Sequence, residues 1–257
     1  MAPTATHVDK DQLIVIPARM AASRLPNKPM ALIAGKPLIE HVWARAVASD
    51  IAPVIVATDH QDIFDHITSL GGKAVMTRDD HPSGSDRIHE ALSQIDPDQR
   101  YQQIINLQGD LPTITTDAIL KLSHLLQAGS CELATLVAKA SDDEVGKPQV
   151  VKAVMSWYSD GQTGRAHYFS RAAVPYEADD HWHHIGLYGW QRDALTRFVN
   201  LPPSALEKTE KLEQLRALEA GMKIEASLID EAPGGVDTME DLTAIRASFE
   251  SSLGPRI

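Results

Sequence analysis

Cysteine is nearly absent: Cys131 stands alone in 257 residues. No intrachain disulfide can form, which fits a reducing compartment. The longest clean apolar run near the start, Leu13 to Ile16, is far short of the roughly 20 residues that span a bilayer. The opening Met1-Ala2-Pro3-Thr4-Ala5-Thr6-His7 lacks the apolar core of a signal peptide. There is no Gly-x4-Gly-Lys-Ser/Thr phosphate loop, Gly-x-Gly-x-x-Gly dinucleotide turn, Gly-x-Ser-x-Gly elbow or His-Glu-x-x-His helix. Repeats, low-complexity tracts and long linkers are missing as well. These absences leave a cytoplasmic, globular chain, read as one domain over 1–257. At this length about three quarters of the unfolded surface is buried, and no staples are needed.

Basic residues are the minority, 24 Lys+Arg against 35 Asp+Glu for a net charge of −11. Their placement is uneven. Through Pro37, five basic residues (Lys10, Arg19, Arg24, Lys28 and Lys36) face only Asp9 and Asp11. That start is therefore net positive on an otherwise acidic protein. A general polyanion binder spreads its basic surface and interleaves it with aromatics. Neither pattern occurs, which argues against a nucleic-acid partner. A small basic cluster suits a compact anion such as a phosphate.

Up to about residue 127 the pattern alternates. Leu13–Ile16, Val54–Ala57, Lys73–Met76 and Ile104–Leu107 read as strands, with amphipathic helices after them, the last Thr116–Gln127. Continuous apolar strands separated by such helices predict a doubly wound, mainly parallel sheet covered on both faces. From about 131 to 199 the rhythm changes. Leu133–Val137, Val150–Val154, Ala166–Phe169 and Ile185–Trp190 predict a mixed-strand extension and a possible dimer contact. Ser204 and Glu207 have capping-box spacing and open a predicted helix that runs to Gly221. Ile224–Ile229 and Met239–Phe249 predict a last strand and a closing helix. His181, His183 and His184 surround Trp182, but no Cys is near and alternate strand residues face opposite sides, which argues against structural zinc.

The informative stretch is Pro17-Ala18-Arg19-Met20-Ala21-Ala22-Ser23-Arg24-Leu25-Pro26-Asn27-Lys28-Pro29. It follows the first buried strand, where open α/β sheets bind ligands. Its arginines and lysine supply forked donors and a point charge suited to a triphosphate. Flanking prolines limit how far the loop relaxes.

That order of residues resembles the 3-deoxy-manno-octulosonate cytidylyltransferase (CMP-Kdo synthetase) family. The likeness continues through Val56-Ala57-Thr58-Asp59, Ser83-Gly84-Ser85-Asp86-Arg87 and Asn106-Leu107-Gln108-Gly109-Asp110. Tyr168-Phe169-Ser170-Arg171-Ala172, His184-Ile185-Gly186-Leu187-Tyr188, Glu210-Lys211-Leu212-Glu213-Gln214 and Val236-Asp237-Thr238 extend it. The matching blocks span roughly Leu13 to Leu242. The resemblance implies a Rossmann-like nucleotidyltransferase fold and a homodimer. It implies a reaction in which CTP and 3-deoxy-manno-octulosonate (Kdo) give CMP-Kdo and pyrophosphate, activating the sugar for lipopolysaccharide synthesis.

Roles follow residue by residue. Asp110 and Asp237 are implied to bind Mg²⁺, a hard cation that suits carboxylate oxygens. Either residue taken alone would read as a turn or cap aspartate. Arg19, Lys28 and then Arg24 are implied for the triphosphate. Ser83, Gly84, Arg87 and Gln108 are implied for the nucleotide pocket, though a plain helix cap explains Ser83 equally well. Arg171 is implied to pair with the sugar carboxylate. His184, Tyr188, Glu210, Glu213 and Gln214 are implied for the sugar hydroxyls. The chain departs from the family's pattern at Leu111, where an acidic residue commonly precedes the proline. That leaves an 8-amino analogue of Kdo or a sialic acid open as acceptor. Asn27 stands where Gly is frequent, and no general base is assigned. A non-catalytic sugar-nucleotide sensor would lack the metal carboxylates, and both are present.

Overall fold

Leu13–Ile16 form the centre of β1 (Gln12–Ala18), whose seven residues are all buried, as a strand covered on both faces requires. The computed structural model describes residues 11–21 and 24–252, which fall into two compact units. The first contains the described residues up to 100, together with 106–116 and 233–252. Its hairpin β2 (Leu32–Ile33) and β3 (Lys36–Pro37) leads into α1 (Leu38–Ser49), which buries Leu38, Ile39, Val42 and Ala46. Next come β4 (Val54–Thr58), α2 (Gln61–Ser69), β5 (Lys73–Met76) and α3 (Gly84–Ile95). β4 lies between β1 and β5 and pairs parallel with both, Ile14 opposite Val54 and Ile55 opposite Lys73. The carboxyl ends of all three strands therefore point the same way. Residues 106–116 return to this unit beside β1, where Leu107 N donates to Val15 O at 3.1 Å.

The second unit, residues 101–105 and 117–232, begins in β6 (Gln103–Asn106) and holds nearly all of α4 (Thr116–Gln127). β7 (Leu133–Lys139), α5 (Asp142–Val145), β8 (Lys152–Trp157), β9 (Thr163–Ser170) and β10 (Trp182–Gln191) follow. After α6 (Arg192–Val199), α7 (Ala205–Glu210) and α8 (Gln214–Glu219) comes β11 (Ile224–Ile229). β11 pairs parallel with β7, while β10–β7, β11–β9 and β8–β9 are antiparallel. This is a mixed set of strands. β10 also reaches β8, with His183 opposite Lys152, so the five strands close on one another. β8 begins at Lys152 instead of Val150, because Val150 closes a turn on Lys147.

One predicted helix is two. The stretch from Ser204 to Gly221 breaks at Lys211, which is left-handed at φ 56° and ψ 48°. The capping box at Ser204 and Glu207 forms as the spacing requires. Leu212 and Leu215 are buried, but from separate segments. The chain ends its described part in α9 (Met239–Ser252), which belongs to the first unit. No helix among the described residues is long and apolar enough to cross a membrane.

Candidate active site

In the first unit the basic loop leaves β1 at Arg19, which is exposed. The next amide, Met20 N, donates to Asp59 Oδ1 at 3.1 Å. Asp59 Oδ2 in turn accepts from Arg87 Nη2 at 2.8 Å. The start of the loop is thus tied to the end of β4 and the first turns of α3. Arg24 is exposed and Leu25 is buried. Asn27 adopts φ 57°, a conformation Asn tolerates better than most residues, and a single 3-10 turn, Lys28–Met30, follows.

A second loop, Asn106–Asp110, crosses β1. A Cβ on Gly109 would lie 2.9 Å from the backbone oxygen of Pro17, so only glycine permits this approach. The loop is then laced to residues 233–238. Val236 N donates to Asp110 O at 2.9 Å, and Gly234 N donates to Thr113 Oγ1 at 2.7 Å. Thr113 Oγ1 donates back to Gly234 O at 3.2 Å. Asp241 caps α9 by accepting from Asp237 N and Thr238 N at 3.0 and 2.9 Å. Burial pushes the Asp241 carboxyl up, but these amides outweigh it and hold the group below the usual range.

The lacing sets Asp110 beside Asp237. Lys28 Nζ donates to Asp110 Oδ2 at 2.8 Å and to Asp237 Oδ1 at 3.1 Å. Arg24 Nη2 lies 3.1 Å from Asp237 Oδ2. Burial disfavours the Lys28 ammonium, yet the two carboxylates raise its pKa above the ordinary value. The donor set is therefore two hard, anionic oxygens converging on one point charge. That set fits Mg²⁺, which takes one or two carboxylates and completes its octahedron with phosphate oxygens and water. Among the described residues no group of three or more His, Cys, Asp or Glu is placed to hold a metal.

Gly84 brings a third segment in. A Cβ there would lie 3.2 Å from Pro17 and 3.9 Å from Gln108 Nε2. Ser83 is the N-cap of α3 and accepts from Asp86 N. Its hydroxyl donates to Asp86 Oδ2 at 2.6 Å. Arg87, implied for the nucleotide pocket, turns its guanidinium inward. Its side chain is 3% exposed and committed to Asp59, Thr77 Oγ1 (2.6 Å) and the Arg78 carbonyl (3.0 Å). It braces the loop from behind, because a buried guanidinium is retained only where its donors are matched.

The implied acceptor residues gather in the second unit. Glu210 accepts from Ser170 Oγ at 2.7 Å and from Arg171 N at 2.9 Å. The break at Lys211 turns two carbonyls outward. Arg171 Nε donates to Glu210 O at 2.7 Å and Nη2 donates to Lys211 O at 3.3 Å. His184, Tyr188 and Gln214 form a buried chain: Tyr188 donates to Gln214 Oε1 at 3.1 Å, and Gln214 Nε2 lies 3.4 Å from His184 Nδ1. His184 Nε2 faces Thr135 Oγ1 at 3.0 Å. Thr135 itself donates to backbone carbonyls, so the imidazole is the donor in that pair. Burial, and then His183, push His184 down to about 3. Burial raises Tyr188 well above its usual value. Glu213 is half-buried at the start of α8.

Sequence reasoning missed Asp59, Thr135, Lys152 and Asp241 as structural partners of these groups. Only Asp241 carried a local signal, its Thr238-x-x-Asp spacing ahead of a helix.

A cytidylyltransferase family model matches residues 13–224. A 3-deoxy-manno-octulosonate cytidylyltransferase of Paramagnetospirillum magneticum is 51% identical, over 93% of this chain and 98% of its own. Another, of Rhodopseudomonas palustris, is 53% identical over 91% and 96%. A solved CMP:2-keto-3-deoxy-manno-octonic acid synthetase complexed with CTP superposes with a TM-score of 0.85. It is 38% identical, and the match covers 94% of this chain and 99% of that one. With its α/β nucleotidyltransferase fold and this breadth of match, the chain belongs to the 3-deoxy-manno-octulosonate cytidylyltransferase family.

Proposed function

We propose that this protein joins CTP to Kdo, giving CMP-Kdo and pyrophosphate. The observation that carries the reading is the convergence of Asp110 and Asp237 on Lys28, beside the basic loop that follows β1. We also read the parallel strands β1, β4 and β5 as the doubly wound, Rossmann-like part of the fold, and the active species as a homodimer. In the reaction the sugar C2 hydroxyl oxygen bonds to the α-phosphorus and its proton passes to solvent. The bond from that phosphorus to the bridging oxygen breaks, and pyrophosphate leaves.

Both substrates are anions, so the protein's task is positioning and charge neutralisation. Arg19, Arg24 and Lys28 take the triphosphate, with Lys28 moving its ammonium from the carboxylates to phosphate oxygens. Asp110 and Asp237 are then the residues that would hold Mg²⁺. When bound, that ion neutralises phosphate charge and orients the group for in-line displacement. Gln108 and the Ser83–Gly84 turn border the nucleotide, where glycine lets backbone approach it. Arg171 pairs with the Kdo carboxylate. His184, Tyr188, Glu210, Glu213 and Gln214 orient its hydroxyls. Pushed down to about 3, His184 is too weak a base near neutral pH to take the hydroxyl proton, and serves as a hydrogen-bonding group.

The test is a pyrophosphate-release assay crossing CTP, UTP and ATP with Kdo, its 8-amino analogue and sialic acid, with and without Mg²⁺. Release from CTP plus Kdo alone, lost in a folded Asp110→Ala variant, is the expected result. No release from that pair would overturn the reading. Preference for the amino analogue would shift the acceptor and point to Leu111.

A further inference from the structure

We infer that Lys152 is a positioning residue of the acceptor site, holding Arg171 in the pose that receives the sugar carboxylate. The inference rests on the reading above in which Arg171 binds that carboxylate. Lys152 opens β8 and is fully buried. An ammonium has three donors, and all three go to backbone carbonyls: Lys147 O at 3.1 Å, Val150 O at 2.6 Å and Arg171 O at 2.7 Å. No carboxylate pairs with it among the described residues. Burial, and then the nearby Arg171 charge, lower its pKa from the ordinary value, with the Glu210 carboxylate opposing them.

Burying a charge with no carboxylate bonded to it is costly, and joining β8 to β9 does not require it. Strand pairing already sets Lys152 opposite Ser170. The ammonium adds a closed ring around Arg171. Lys147 and Val150 are the ends of a turn, with Val150 N donating to Lys147 O at 3.1 Å. Pro148 lies within that turn, and its carbonyl accepts from Arg171 Nη1 at 3.0 Å. Lys152 thus fixes both the main chain of Arg171 and the turn that holds its guanidinium.

The consequence is directional. Nε, Nη1 and Nη2 of Arg171 each spend one N–H on a carbonyl, of Glu210, Pro148 and Lys211 respectively. One N–H on each Nη remains, and two Nη donors on one guanidinium can form the fork a carboxylate accepts. Without the ammonium, three carbonyl oxygens would face one another across an empty space. The turn would then open and the fork would lose its aim.

The experiment is a double-mutant cycle of Lys152→Met and Arg171→Ala, reading KM for Kdo, KM for CTP, kcat and the melting temperature. Lys152→Met is expected to raise KM for Kdo by on the order of tenfold or more, with KM for CTP unchanged. It should add nothing further in the Arg171→Ala background. An unchanged KM for Kdo, or the same factor in both backgrounds, overturns the inference, since a merely structural lysine would act independently of Arg171. If Arg171→Ala alone leaves KM for Kdo unchanged, the acceptor reading falls and this inference with it. Lys152→Gln, neutral but still a donor, replaces Lys152→Met under the same criteria if the latter is insoluble.

Discussion

Replacing Arg87 by methionine should destabilise the protein severely, and the size of the loss follows from what is left behind. The Arg87 side chain is 3% exposed and that of its partner Asp59 is 7% exposed. The variant strands the Asp59 charge with one remaining donor among the described residues, Met20 N at 3.1 Å. Breaking a buried pair from one side costs about 3–5 kcal/mol. Against a total stability of about 5–15 kcal/mol, that is about a fifth or more of the whole. Equilibrium urea unfolding followed by tryptophan fluorescence measures it. The double variant Asp59→Asn with Arg87→Met removes the stranded charge and should recover part of the loss. Because Asp59 also tethers the start of the basic loop, CTP affinity should fall in the single variant. A loss near the ~1 kcal/mol ceiling of an exposed pair, or a double variant no more stable than the single one, would refute the reasoning.

Lys28→Met removes the ammonium between Asp110 and Asp237. Mn²⁺ binding to the nucleotide-free protein, followed by the electron paramagnetic resonance of the free ion, should tighten while turnover falls; weaker binding contradicts the shared-cation geometry. Gly109→Ala drives a methyl against the Pro17 carbonyl at 2.9 Å. It should cost about 1–3 kcal/mol and weaken CTP binding, and an unaltered melting curve would argue against the close approach. His184 titrates at about 3 when folded and near 6.5 when unfolded. Between those values the unfolded chain binds a proton that the native one does not. Stability therefore falls as pH drops through that window, by up to about 1.4 kcal/mol per pH unit. A His184→Gln variant should show a shallower acid slope in urea unfolding, and an identical slope counts against the buried neutral imidazole.

Much of this was legible in the chain. Lys73–Met76 is a strand with the expected bounds, and β1 and β4 differ only at their ends, because β-branched runs between turn signals leave few alternatives. The antiparallel pairing of β10 with β7 and of β8 with β9 falls where the rhythm changes near Cys131. The break at Lys211 was not legible, since the apolar spacing of Leu212, Leu215 and Leu218 suits one continuous helix. What breaks it is tertiary, the demand of Arg171 for the carbonyls of Glu210 and Lys211. The inward turn of Arg87 was hidden for a related reason. Helical spacing gives its position on α3 but not the acid at the end of β4 that draws its side chain inward. Asp110 and Asp237 came together on paper only through resemblance. In the fold a few main-chain and threonine bonds join their loops, and nothing in either local sequence announces them.

The lacing of residues 106–113 to 233–238 has a consequence for biosynthesis. The paired acids come from distant segments of the chain, Asp110 being made well before Asp237. A nascent polypeptide that stops short of Asp237 already contains β1, β4, β5 and the basic residues of the first loop. It still lacks half of the anionic counterpart, so competence waits until Asp237 has been made.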